Sequence, residues 1–346
     1  MWRQVFYIII TIIFLILLST SAYSKPKIFI LSSYDKMDVC GGQQYKGVVD
    51  VLRLNLLNNF TLKSFWIDSR HLDKKQLNLR IKEAVSSIKA FSCDVLITID
   101  DVAFKVALDH FLGKAKPIIV FSGVNKPLNL YNQKYHFLKD NIPTKNVTGV
   151  YEYIFAKEGI QFLDSWIEDE NYKIAAIYSN DKVSLILRKQ LYQELGNSPY
   201  KNRIIDFKIT SLEELKSTIK KIKANPNIKA YFPFTLKVWD EKSKRYFSFT
   251  ELIPFLKTQM SIPAIFPNTR VAYLGLLGGL GSDFYKMGRQ AGKIALATIN
   301  GTPLRYLPVQ YTKNYEIVIN SQRAKECKLP IHYTILYSAD EVVNKP

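Results

Sequence analysis

The sequence predicts an α/β protein of two doubly wound, parallel-sheet lobes joined by a hinge of about three crossings. Three observations carry this reading. Short, nearly continuous apolar runs alternate with stretches of helical periodicity, the pattern of parallel strands buried on both faces and covered by helices. The series occurs twice, at 27–33, 62–67, 95–99 and 118–121, and again at 173–179, 204–207, 230–234 and 264–266. Between the two lies one short extended segment, 145–153, and roughly 320 mature residues suit two domains.

Residues 1–24 stand apart from the fold. One positive charge, Arg3, precedes an apolar run from Ile8 to Leu18, and Ala22 and Ser24 fit the −3 and −1 places of a cleavage site. That is the pattern of a secretory signal peptide, with an uncleaved anchor as the alternative, so the mature protein is expected to be exported or periplasmic. The formal charge of +18 is spread along the chain, which suits a solvated surface and not a nucleic-acid arm. Cys40, Cys93 and Cys327 are far apart, without a C-x-x-C or a matching His pair, so no zinc or other metal site is expected and three unpaired thiols are, with one disulfide and one free thiol as the alternative.

The first strand ends at Ser32-Ser33-Tyr34-Asp35, and Gly41-Gly42 opens a helix with Tyr45, Val48, Val49, Leu52 and Leu56 on one face. Asp68-Ser69 is read as the start of the second helix. Asp100-Asp101 follow the third strand at a helix N-terminus that favours carboxylates. Ser122-Gly123-Val124-Asn125-Lys126-Pro127 is a turn-rich loop after the fourth strand, and the pattern is irregular to Pro143. In the second series Ser179-Asn180-Asp181 ends the first strand, and Ser211 with Glu214 is a capping-box start. Residues 237–244 read as a charged loop. The fourth strand has Pro263 and Pro267 at its margins, as near a sheet edge. The glycine-rich 275–281 reads as a second crossing and the segment around Pro308 as a third. On this basis residues 25–148 with about 279–308 form the first lobe and 149–278 the second. Residues 309–346 are a hinge return and C-terminal segment.

Asn146-Val-Thr-Gly149-Val150, then Gly278-Gly279-Leu-Gly281-Ser-Asp283-Phe-Tyr285-Lys-Met-Gly288-Arg289-Gln290-Ala291, Gly301-Thr-Pro303 with Leu307-Pro308, and Ile317-Val-Ile-Asn320-Ser-Gln-Arg-Ala324 occur in that order. With them the mature chain resembles ABC-transporter substrate-binding proteins of the type I periplasmic-binding-protein fold. The resemblance implies a monomer that closes over a small-molecule ligand, an amino acid or related compound, and presents it to an ABC permease. It departs from the family at Asn125-Lys126-Pro127, where members often carry Asp-Pro, and at Asp100-Asp101-Val102, where many have small residues. Some relatives serve periplasmic sensing, so a sensor subunit for a membrane receptor is the alternative, with an exported enzyme in the same cleft a third reading.

In doubly wound sheets ligands sit beyond the carboxyl ends of the strands. That rule selects Ser32, Ser33, Tyr34, Asp100, Asp101, Ser122, Gly123, Ser179, Asn180, Phe234, Thr235 and Asn268, and Tyr151 lies just past the first crossing. Helix-start amides among them would favour a carboxylate or other anion. One of the two aspartates would pair an ammonium or a sugar hydroxyl. Each residue has a plainer use as a cap, turn former or packing group. No G-x-S-x-G, H-E-x-x-H or P-loop occurs, and His71, His110, His136 and His332 are scattered, so no enzyme activity, cofactor or nucleic-acid partner is expected.

Overall fold

The computed structural model describes residues 25–265 and 268–346. The leader read at 1–24 lies outside them, as do Phe266 and Pro267.

Strand Lys27–Ser32 (β1) begins a run of elements that builds the first lobe. Helix Gly41–Leu56 (α1), strand Thr61–Trp66 (β2), helix Lys74–Phe91 (α2), strand Val95–Ile99 (β3), helix Asp100–Phe111 (α3), strand Ile118–Val124 (β4) and helix Leu128–Tyr135 (α4) follow. A small hairpin of Leu138–Lys139 (β5) and Ile142–Pro143 (β6) then leads into strand Val147–Tyr151 (β7). The main strands are parallel in the order β2-β1-β3-β4-β7. Alternation along each strand sends Phe29, Leu31, Ile119 and Phe121 to a core shared with α2, α3 and α4. Ile28, Ile30, Val120 and Val150 go to the opposite face, under α1. Both faces are covered, which is why these strands read as unbroken apolar runs.

Helix Ala156–Asp164 (α5), strand Lys173–Ser179 (β8), helix Lys182–Leu195 (α6), strand Ile204–Ile209 (β9), helix Leu212–Ala224 (α7) and strand Ile228–Pro233 (β10) repeat the pattern. The order is β9-β8-β10, parallel, with Ala264 bridging Tyr231 at the outer side of β10. Strands Lys237–Asp240 (β11) and Arg245–Ser248 (β12) form an antiparallel hairpin where the charge pattern suggests a loop. Val238 is wholly buried in the second lobe's core and sets the hairpin's inner face. Helix Phe249–Gln259 (α8) follows. The second helix of the chain starts at Lys74, not at Asp68-Ser69, because Asp73 and Gln76 form the capping box.

The chain then crosses back. Strand Gly278–Ser282 (β13) pairs antiparallel with Tyr315–Asn320. The glycine run is therefore part of the second lobe, and the crossing follows it, at Asp283. Gly278 has φ +84°, and a Cβ there would lie 2.2 Å from the Val318 carbonyl oxygen, so the glycine serves strand pairing. Helix Phe284–Ile299 (α9) lies against α1 and contributes Phe284, Met287 and Ala291 to the first lobe's core. Strand Gln310–Tyr311 (β14) joins the first sheet beside β7. The third crossing comes after it, at 312–314, and strand Tyr315–Asn320 (β15), helices Ser321–Glu326 (α10) and Tyr333–Ser338 (α11) and strand Glu341–Val343 (β16) belong with the second lobe. The first crossing likewise follows β7 at 152–154, since Val147–Tyr151 is wholly buried sheet.

Candidate functional site

The carboxyl ends of β1, β3, β4 and β7 converge on the first lobe's wall of the cleft. β1 ends at Ser32, which is buried and whose Oγ accepts from Tyr34 N at 3.3 Å. Ser33 Oγ donates to Ile99 O at 2.8 Å and accepts from Ala103 N at 2.9 Å, so its side chain ties β1 to the first turn of α3. Directly after β3, Asp100 takes the left-handed conformation, φ +70°, which Asp and Asn tolerate best among non-glycine residues. Its Oδ1 accepts from Asp101 N at 2.6 Å, and the Tyr34 phenol lies beside the same carboxyl group. Asp101 points elsewhere. Its carboxylate accepts from Asn125 N at 3.1 Å, Lys126 N at 3.2 Å and the Tyr131 hydroxyl at 2.7 Å, and so pins the loop after β4. Asp101→Ala should then cost about 2 kcal/mol, read by thermal melting, because buried donors lose their acceptor.

Beside these, Ser122 Oγ donates to Gln44 Oε1 at 2.6 Å, and Gly123, at φ +68°, lies directly under the Gln44 amide. Asn125 Nδ2 donates to Gly123 O at 3.2 Å and to Glu152 Oε2 at 2.9 Å, which brings Glu152 of the first crossing to the same wall. Tyr151 is spent on structure: its ring is buried edge-on to Tyr311 and its hydroxyl donates to Asn125 O at 3.0 Å. Arg70, just past β2, pairs with Asp38 at 2.6 Å and stacks its guanidinium 3.9 Å over the Tyr34 ring.

The second lobe faces this wall with fewer groups. Asn268 Nδ2 reaches across to Cys40 Sγ at 3.1 Å, while its Oδ1 caps Arg270 N. Ser179 Oγ donates to Asp181 and accepts from Lys237 N at 3.0 Å, Asn180 is exposed, and Thr235 is half-buried. Phe234 is fully buried against Phe232 and presents no face to the cleft, because the ring completes the core behind β10. The helix-start amides expected to attract an anion are already occupied. Asp38 Oδ1 takes Cys40 N and Gly41 N, and Asp181 Oδ1 takes Val183 N and Ser184 N.

The wall is acidic and largely buried. Burial, then the neighbouring Asp101 charge, pushes Asp100 up to about 7. Burial, then Asp100, raises Glu152 well above the usual carboxylate range, and burial also raises Asp101, the Tyr34 phenol and the Cys40 thiol. Asp35, Asp68 and His71 bring ligand atoms within 4.8 Å of one another at the rim, but His71 Nδ1 already meets Asp68 Oδ1 at 2.6 Å and Asp35 Oδ1 holds Met37 N. A surface hollow of about 480 Å³ on the second lobe is lined by Ser321, Gln322, Lys325, Leu329, Ile331 and Asn344, none of them acidic.

Sequence reasoning missed Gln44, Arg70, Asn125 and Glu152. Gln44 was detectable as a polar residue in the buried stripe of α1, one turn before Val48 and two before Leu52. Glu152 was detectable as an acid between two tyrosines directly after a buried strand.

Two α/β lobes joined by three strands of chain, with a polar cleft between them, define the type I periplasmic binding-protein class. The family model described as ABC transporter substrate binding protein matches residues 44–343, and the chain belongs to that family. Solved structures share the fold. The L-Trp complex of an ABC domain from Streptococcus pneumonia has TM-score 0.67 and 18% identity, covering 92% of this chain and 100% of that one. The open, ligand-free substrate-binding protein CD0873 from Clostridium difficile has TM-score 0.69 and 17% identity, with the same coverage. A periplasmic solute-binding protein from Actinobacillus succinogenes with bound D-allose has TM-score 0.51 and 15% identity, covering 87% of this chain and 100% of that one. A comparison with curated protein sequences gives no match. Among the described residues no helix is long and apolar enough to cross a membrane.

Proposed function

We propose that the protein is an exported, monomeric solute-binding component of an ABC importer, which closes its two lobes over a small polar ligand and presents the closed form to a membrane permease. The observation that carries this reading is the cleft itself: Tyr34, Asp100, Asn125 and Glu152 on one lobe stand opposite Asn268 on the other, and the facing lobes already touch through Asn268 and Cys40. A ligand that bonds to both walls stabilises the closed arrangement by its differential affinity for it, which is a population shift and needs no chemistry. The three connecting segments restrict the lobes to bending. Small-angle scattering with calorimetric titration of amino acids and related small molecules tests this. One ligand per chain, a smaller radius of gyration on binding and unchanged ligand afterwards are expected. Turnover of the bound compound, or binding with no change in shape, would overturn it.

A further inference from the structure

We propose that the cleft is built for an organic cation carrying a neutral oxygen acceptor, a protonated amine with a neighbouring hydroxyl, ether or carbonyl, as in an amino alcohol or aminosugar. The proposal rests on the cleft being the binding site. Asp100 and Glu152 stand at the ends of β3 and β7, on either side of β4, and each is only 7% exposed. Their hydrogen-bond partners are neutral, Asp101 N for Asp100 and Asn125 Nδ2 for Glu152, and the Tyr34 phenol beside Asp100 is neutral too. The cations near them are committed elsewhere, Arg70 to Asp38 and the Tyr34 ring, and Lys126 over the Tyr131 ring at 4.4 Å. The Arg70 charge reaches Asp100 without pairing with it, and two nearly buried carboxylates with no salt bridge are an unfavourable arrangement that a bound cation relieves.

A second observation is independent of the acids. Gln44 is wholly buried, its Oε1 accepts from Ser122, and its Nε2 has no partner. That amide lies against Gly123 at the end of β4, between the two acids, so it offers a buried donor that an incoming acceptor would satisfy. The acceptor must be neutral, because a carboxylate there would face Asp100 and Glu152 in a site where charges are poorly screened. The amides that could compensate it are held by Asp38 and Asp181.

Two matched trios test the charge on closely related skeletons: D-glucosamine, D-glucose and D-glucuronate, and phenylalaninol, L-phenylalanine and phenyllactate. Calorimetric titration of the purified protein at pH 7, where both amines are chiefly protonated, should find the cation of a trio at least tenfold tighter than its neutral, zwitterionic or anionic relatives. Asp100→Asn and Glu152→Gln should each weaken it at least tenfold, while the unliganded protein melts no lower than wild type. Asn keeps the left-handed backbone at 100, so that variant folds. Asp140→Asn, on an exposed turn, should change nothing. Tighter binding of the zwitterion or anion, or unchanged affinity in both acid variants, overturns the charge assignment and leaves the cleft reading intact. Silence from both trios counts against both.

Discussion

Gly288→Val should lower the stability of the protein by about 3 kcal/mol. At the crossing of α1 and α9 the two backbones nearly touch. A Cβ on Gly288 would sit 2.1 Å from the Gln44 carbonyl oxygen, and one on the facing Gly47 would sit 2.1 Å from the Tyr285 carbonyl oxygen. Both obstacles are main chain, so neither can rotate away, and relief requires the helices to separate. That contact is what fastens the returning segment to the first lobe, because Phe284, Met287 and Ala291 of α9 share one core with Val48 and Leu52 of α1. Thermal melting should show a drop of roughly 6–12 °C. Gly159→Ala is the control: it is helical, its Cβ would lie 3.7 Å from the nearest atom, and it should be neutral or slightly stabilising. Gly288→Val should also weaken ligand binding, since the displaced residue is Gln44. A melting point within a degree or two of wild type would show that the helices are not locked at this crossing.

The strands were legible because their chemistry is local. Unbroken apolar runs such as 95–99 and 173–179 follow from burial on both faces, and Asp181 and Ser211 cap the helices they precede. What sequence reasoning placed less well depends on contacts far along the chain. Gly278 reads as a flexible crossing until Val318, forty residues later, is seen to need the space above it. The same holds for the site. The strand-end rule selects residues that the fold does bring together on one wall, but it cannot say which side chains are already in use. Asp100 and Asp101 are adjacent and chemically identical, yet the left-handed turn at Asp100 leaves its carboxyl group at the cleft while Asp101 is taken by Asn125, Lys126 and Tyr131. Tyr151, the hinge residue the sequence favoured, braces Asn125, and the neighbouring Glu152 is the one that reaches the cleft wall.

Glu194→Ala should cost about 3 kcal/mol and weaken ligand binding from the opposite lobe, because Glu194 grips the first crossing. Its Oε1 accepts from Ile154 N at 2.7 Å and its Oε2 from Ala156 N at 3.0 Å, while Gln190, one turn earlier on α6, donates to Glu152 O at 2.7 Å and to Glu194 Oε1 at 3.1 Å. Removing the carboxyl group leaves two main-chain donors without their acceptor, at about 1–3 kcal/mol each before relaxation. It also loosens the backbone that aims Glu152 at the cleft. The pH dependence distinguishes this clamp from a simple packing role. Burial raises Glu194 from 4.5 to about 7, so the folded protein binds a proton there that the unfolded chain has released. Stability from this group is therefore full below about pH 4.5 and lost as pH rises through 7, a swing on the order of 3 kcal/mol. Asp100, Asp101 and Glu152 are displaced in the same direction and add to the slope. The unliganded protein should thus melt higher at pH 5.5 than at pH 8.5, and Glu194→Ala should flatten that difference and be most damaging at the lower pH. A melting point that rises with pH across this range, or an identical slope in the variant, would mean that Glu194 is solvated and that the crossing is held by its neighbours alone.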